Sequence, residues 1–313
     1  MKFLIWVLIA VLALIAVLLI GCGICFYMAF YEPRTKKNQS AKAILPPGDL
    51  YAPFREVTRR WAEEIRAMDC EEFYIRSFDG LQLYGRYFEY EQGAPIEIMF
   101  HGYRGSAERD LAGGVRRAFA VGHSVILVDQ RTSGKSEGKV ISFGINESRD
   151  CLAWVQKTID RFGSDVKIIL TGISMGAATV LIAAGQPLPP NVVGVLADCG
   201  YTSAKEIIQK TIRDMKLPAR PLYPLVRLGA KIFGRFDPDE FSPIEAVKNI
   251  KVPTIFFHGD ADDYVPAEMS QRNYDACTSE KKIHFVQGAG HGLSYPVAPE
   301  EYVSVMKEFF YEQ

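Results

Sequence analysis

Lys167-Ile168-Ile169-Leu170-Thr171-Gly172-Ile173-Ser174-Met175-Gly176-Ala177-Ala178 runs from an apolar strand through G-x-S-x-G into small helix formers. The pattern reads as a nucleophile elbow, a serine on a sharp strand-to-helix turn. Glycine stands two residues to either side because the backbone there approaches too closely for a side chain. Such a turn lifts the Ser174 hydroxyl clear of the sheet. It also aims the backbone N–H of Met175, at the head of the next helix, toward the place where negative charge develops on an attacked carbonyl. A glycine-rich turn without chemistry could carry the same letters; the strand before it and the helix after it favour the elbow.

Around this stretch, short apolar strands alternate with helices. Strands are expected at 96–100, 124–128, 166–170 and 192–197, with helices near 109–121, 145–162 and after Ser174. Further strands are expected at 254–258 and 282–286, and a closing amphipathic helix at 299–311. This spacing predicts a mostly parallel sheet covered by helices on both faces, with catalytic groups in the loops at the strands' carboxyl ends. Upstream, 56–68 reads as a helix. Two alternating segments around Asp79-Gly80 read as a hairpin, so the domain opens with antiparallel strands.

A serine hydroxyl needs a general base and an acid to orient that base. Of five histidines, His101 and His258 precede glycines at strand ends, His123 precedes a strand and His284 lies within one. His291, in Gly288-Ala289-Gly290-His291-Gly292 after the last strand, is left with the freedom to reach the serine. Asp260, Asp262 and Asp263 lie in the loop before that histidine's strand, and Asp198 ends an earlier strand. Each is a candidate acid.

These motifs together resemble the α/β-hydrolase superfamily, and are similar to its monoacylglycerol-lipase and serine-aminopeptidase-like branch. The resemblance runs from about Glu72 to the C terminus. It rests on His101-Gly102-Tyr103-Arg104-Gly105, on Asp129-Gln130-Arg131-Thr132-Ser133-Gly134-Lys135-Ser136, on Gly172-Ile173-Ser174-Met175-Gly176, on the H-G-x-x-D-x-x-V-P loop from His258, and on Gly290-His291. It implies an α/β-hydrolase fold with a Ser174, Asp262, His291 triad, because the family spacing falls on Asp262. It also implies a second oxyanion donor, the backbone N–H of Tyr103, beside that of Met175. Thr132 and Ser133 replace the family's usual Gly-His pair, which bears on the shape of that loop. Gly134-Lys135-Ser136 looks like the end of a phosphate-binding loop, but position 129 is Asp where that motif needs Gly. No metal or organic cofactor is called for.

The 313 residues are 48% hydrophobic with a formal net charge of −1, which gives no global attraction to nucleic acid. The six cysteines are scattered and suggest neither a disulfide framework nor a metal site. From Phe3 to Tyr31 the chain is almost uninterruptedly apolar, longer than the ~20 residues that cross a bilayer. An uncleaved anchor is expected ahead of a signal peptide or a lipoprotein signal at Cys22, because the apolar run continues past Cys22. Phe26, Tyr27, Phe30 and Tyr31 read as an interfacial belt. The basic residues after the span favour a cytoplasmic domain and the short charged start favours export, so the side stays open.

The domains expected are thus a membrane segment over 1–31, a linker over 32–53 and a hydrolase domain over 54–313, with 201–236 inserted as a helical cap. The substrate pocket is expected beneath that cap. The function expected is a membrane-anchored serine hydrolase of a small-molecule ester, thioester or other acyl substrate, in contact with membrane lipid. The alternatives are a serine peptidase, which would need a carboxylate for the substrate's amino terminus, and a non-catalytic membrane interaction protein on the same scaffold.

Overall fold

The computed structural model describes residues 2–33 and 49–311. Helix α1 (Lys2–Ala29) is apolar on every side and, among the described residues, is the one helix long and apolar enough to cross a membrane. Helix α2 (Arg55–Ala67) follows, then β1 (Glu71–Arg76) and β2 (Gln82–Phe88), paired antiparallel around Asp79-Gly80. The alternating region comprises β3 (Ile96–Phe100), α3 (Ala107–Ala120), β4 (Ser124–Asp129), α4 (Ile145–Phe162), β5 (Ile168–Ile173), α5 (Met175–Ala184) and β6 (Val192–Asp198). Two helices, α6 (Ala204–Asp214) and α7 (Ala219–Gly229), form the insertion before β7 (Thr254–Gly259), α8 (Ala267–Ala276), β8 (Lys281–Val286) and α9 (Pro299–Tyr311).

The eight strands described form one sheet in the order β1-β2-β4-β3-β5-β6-β7-β8, antiparallel at β1-β2 and β2-β4 and parallel elsewhere. Strands β3 to β7 are apolar runs because helices bury both faces; all five residues of β3 are buried. Helix α5 lies deepest, with every residue buried, which explains its run of alanines and small aliphatic side chains.

Two expectations change near the N terminus. Phe26 and Phe30 do not belong to an interfacial belt. They lie in an apolar cluster with Phe143, Tyr201, Tyr223, Val226 and Phe236 of the folded domain, and Phe30 is fully buried. The Phe30 ring packs edge-on against Phe143 and Phe236 at 5.7 and 5.1 Å. Tyr27 remains exposed, as a belt residue would be. Beyond the helix, Glu32 N–H donates to Lys139 O and Ile141 N–H to Phe30 O, so the chain leaving α1 pairs with the loop before α4.

The expected linker over 32–53 also does not hold at its end. Residues 34–48 lie outside the described residues, but Tyr51 donates its hydroxyl to His291 O at 3.1 Å. Leu50 packs so tightly on Gly290 that a Cβ there would lie 2.2 Å from a Leu50 methyl group. This segment is therefore part of the folded domain.

Candidate active site

The elbow is built by close backbone contact. Ser174, between β5 and α5, has φ 57° and ψ −117°, a strained conformation for a residue with a side chain. A Cβ on Gly172 would lie 2.1 Å from Gly176 O, and one on Gly176 would lie 1.9 Å from Phe100 O. Neither position accepts even alanine without moving backbone. The Ser174 N–H donates to Asp198 O at 2.8 Å, which ties the turn to the end of β6.

Three loops bring a hydrogen-bond relay to that serine. Ser174 Oγ is 2.9 Å from His291 Nε2, and His291 Nδ1 is 2.7 Å from Asp262 Oδ2. Asp262 is fixed by the turn after β7: its Oδ1 accepts from the N–H groups of Tyr264 and Val265 at 2.9 and 2.8 Å. The other candidate acids are engaged elsewhere or stand apart. Asp260 accepts from Gly288 N–H at 2.7 Å, and Asp198 from the hydroxyls of Ser294 and Tyr302. Asp263 lines the cavity and is exposed.

Burial by itself would raise the Asp262 pKa. Hydrogen bonds from His258 and His291, the charge of His291 and the Val265 N–H outweigh it and hold the carboxyl well below its usual range.

His258 and Asp110 also belong to the site, and sequence reading did not assign them these parts. His258 Nε2 lies 2.8 Å from Val265 O and 3.2 Å from Asp262 Oδ2, while Nδ1 meets Ser270 Oγ at 2.6 Å. A carbonyl only accepts, so Nε2 carries the proton, and His258 steadies Asp262 from behind. Asp110, in the first turn of α3, accepts from Gly102 N–H at 2.9 Å and pairs with Arg109. It packs into the His101–Gly105 loop so tightly that a Cβ on Gly105 would lie 2.0 Å from its Oδ2. That contact explains the glycine. In the same loop His101 Nε2 accepts from Gln130 N–H, joining the ends of β3 and β4. The departure at Thr132 and Ser133 is accommodated locally: Thr132 takes φ 75° and Ser133 Oγ donates to Gly105 O at 2.9 Å.

The cavity beside Ser174 has a volume of about 500 Å³ and does not lie beneath the cap. None of its lining residues falls within 201–236; it runs under α2 and α3 instead, between Trp61, Met99, Leu111 and Tyr295. The cap helices are occupied otherwise: α7 packs on the end of α1, and α6 packs on α7. Gly113 and Gly114, in the middle of α3, cost the helix roughly 1 kcal/mol each relative to alanine. Space explains them, since a Cβ on Gly113 would lie 2.8 Å from Trp61 and 3.0 Å from Tyr295. Tyr103, on the cavity wall, donates its hydroxyl to Ala29 O at 2.7 Å, and Arg104 donates to Met28 O at 2.8 Å. The end of α1 thus holds the loop that borders Ser174.

Cys199, Asp262 and His291 are the one group among the described residues whose possible metal-ligand atoms lie within 4.8 Å of one another. The site suits a metal poorly. Both side-chain partners are already hydrogen-bonded, and burial, then the charge of Asp198, push the Cys199 thiol well above its ordinary pKa.

Comparison with known proteins agrees with this architecture. An uncharacterized protein of Bacillus subtilis strain 168, YqkD, is 25% identical over 305 residues, spanning 97% of this chain and 96% of its own. The protein bem46 of Schizosaccharomyces pombe is 25% identical over 198 residues, 62% of this chain and 60% of its own. Among solved structures, the Pyrococcus furiosus esterase Pf2001 superposes with a TM-score of 0.65 at 23% identity, covering 80% of this chain and 93% of that one. The family profile described as "Alpha/beta hydrolase family" matches residues 98–305, the greater part of the chain, from the middle of β3 through the last strand of the sheet. The chain belongs to the alpha/beta hydrolase family.

Proposed function

We propose that this protein is a serine hydrolase, held at a membrane by α1, that cleaves carboxylic esters or thioesters through an acyl-enzyme on Ser174. The observation that carries the reading is the continuous relay from Ser174 Oγ through His291 to Asp262, at 2.9 and 2.7 Å. Ser174 Oγ attacks the substrate carbonyl as its proton passes to His291 Nε2, and Asp262 stabilises the imidazolium that forms. The backbone N–H groups of Tyr103 and Met175 receive the developing oxyanion. As the tetrahedral adduct collapses, His291 returns the proton to the leaving alcohol or thiol. A water molecule activated by the same imidazole then releases the acid and restores Ser174.

The apolar wall of Trp61, Met99, Leu111, Ile173, Leu196 and Tyr295 supports an acyl group in the cavity. Of the carboxylates on that wall, Asp110 and Asp198 are occupied by partners within the protein. That leaves Asp263, exposed to solvent, as the group a peptide's amino terminus would have to use, so ester cleavage is the preferred reading and peptide cleavage the second. The full chain, purified in detergent, is to be assayed on p-nitrophenyl esters of graded acyl length and on amino-acid p-nitroanilides, with Ser174→Ala as blank. Esters should turn over faster. Ser174-dependent anilide turnover above that of every ester would replace the esterase reading with the peptidase one.

A further inference from the structure

Helix α1 leaves the folded domain at a defined level. Residues 2–20, 19 in all, are exposed along their whole length, about 28 Å of helix. Burial begins at Gly21, and Cys22 is fully buried. The free length matches the ~30 Å hydrocarbon core of a bilayer, so no spacer is left between lipid and protein. With that length in the membrane, Cys22 and Gly23 stand at the interface and the domain rests directly on it.

The turn after α7 stands at the same level. Gly229 meets Cys22 so closely that a Cβ there would lie 2.4 Å from Cys22 O. Because no described residue covers α1 before Gly21, the rest of α7 runs alongside the later turns of α1, toward Phe30 and away from the interface. The π-helical turn Ala230–Gly234 then sets Phe233 against α1, its ring 5.8 Å from that of Phe26. A side chain begun at Gly23 would lie 3.7 Å from the Phe233 ring. Even so, Ile232 and Phe233 are 43% and 45% exposed, and the flanking Lys231 and Arg235 are exposed as well.

We propose that the Lys231–Arg235 turn is a second membrane contact, with a lipid bilayer as its partner. Ile232 and Phe233 enter the boundary between headgroups and acyl chains, continuing the apolar surface of α1. Lys231 and Arg235 extend to its aqueous side. The proposal rests on reading α1 as a membrane span. A single helix leaves the domain free to swivel about the helix axis; a second contact beside it fixes the rotation. Since Tyr103 and Arg104 are bonded to Ala29 and Met28, the cavity wall is then held at a constant height, about 13 Å along the axis from Ile20.

The test uses the full chain in phosphatidylcholine nanodiscs with brominated acyl chains, which quench tryptophan on contact. The native Trp6, 70% exposed on α1, reports on the span itself, while Trp61 and Trp154 are buried in the domain. On a Trp6→Phe background, Phe233→Trp and, as a second variant, Ile232→Trp should each lose most of the added emission. Leu217→Trp, 45% exposed before the far end of α7, should lose none. Quenching of Trp6 without quenching at 232 or 233 would overturn the second contact while leaving the span intact. Equal quenching at 217 and 233 would overturn it too, since the cap would then lie flat on the lipid. An unquenched Trp6 would remove the span and the second contact together.

Discussion

Replacing Asp262 by asparagine tests the orienting role proposed for this acid, because the surrounding hydrogen bonds dictate how the amide must sit. Oδ1 of Asp262 accepts from two backbone N–H groups, of Tyr264 and Val265, at 2.9 and 2.8 Å. The amide oxygen of Asp262→Asn keeps that place, so its NH2 takes the position of Oδ2. It then faces His291 Nδ1, now at 2.7 Å, and His258 Nε2, itself a donor to Val265 O. His291 must accept at Nδ1 and carry its proton on Nε2, pointing at Ser174, the wrong tautomer for a general base. The imidazolium also loses its countercharge. The expected loss is ~10⁴ in kcat, or ~5 kcal/mol of transition-state stabilisation. Steady-state turnover of a p-nitrophenyl ester measures it, with far-ultraviolet circular dichroism to show the fold is kept. Near-normal turnover in Asp262→Asn, or an equal loss in Asp260→Asn or Asp263→Asn, would refute the reasoning.

Other outcomes follow from the packing and charges. Phe30→Ala removes a fully buried ring between Phe143 and Phe236 and should destabilise the detergent-solubilised chain by ~3–5 kcal/mol, read as a lowered Tm. An unchanged Tm would show that the end of α1 is no part of the core. Gly113→Val should block the cavity at Trp61 and Tyr295, raising KM most for the longest acyl chains; a length-independent effect would place the acyl group elsewhere.

Acid should act through Glu97, buried beneath the sheet with Arg117, His123 and Thr171 as partners. Burial pushes its pKa up, but the Arg117 charge and the His123 hydrogen bond overcome this and hold it at about 2. A depressed carboxylate contributes its stability fully above the ordinary Glu value of ~4.3 and loses it as pH falls toward 2. Tm should therefore drop across that window. Glu97→Gln should lower Tm at neutral pH and flatten the drop, and an unaltered slope would contradict the assignment.

Much of this fold is legible in the sequence because its signals are local. Strand, glycine, serine, glycine and helix are contiguous at Gly172–Gly176, and the alternation of apolar strands with helices repeats along the chain. What is not legible depends on distant contacts. Phe26 and Phe30 read as membrane-facing because an apolar side chain looks the same whether lipid or protein surrounds it, and a helix apolar on every side has no polar face to mark where packing begins. An insertion reads as a roof, which is why the sequence alone puts the cavity under the cap. The better signal was Gly113-Gly114 inside a helix, where only a demand for space explains the pair. Asp110 resembled any acidic residue in a first helical turn, and His258 resembled a strand-end histidine. Their parts emerge only when the loops from β3, β7 and β8 meet.

The account turns on Ser174 as an activated nucleophile, and covalent labelling by a fluorophosphonate probe tests that most directly. The native full-length chain should take up one probe per protein, with the adduct located on Ser174 by peptide mass spectrometry. Ser174→Ala should take up none and show no ester turnover, and His291→Ala should label far more slowly. Full-rate labelling of Ser174→Ala, or an adduct on any other residue, would contradict the central claim.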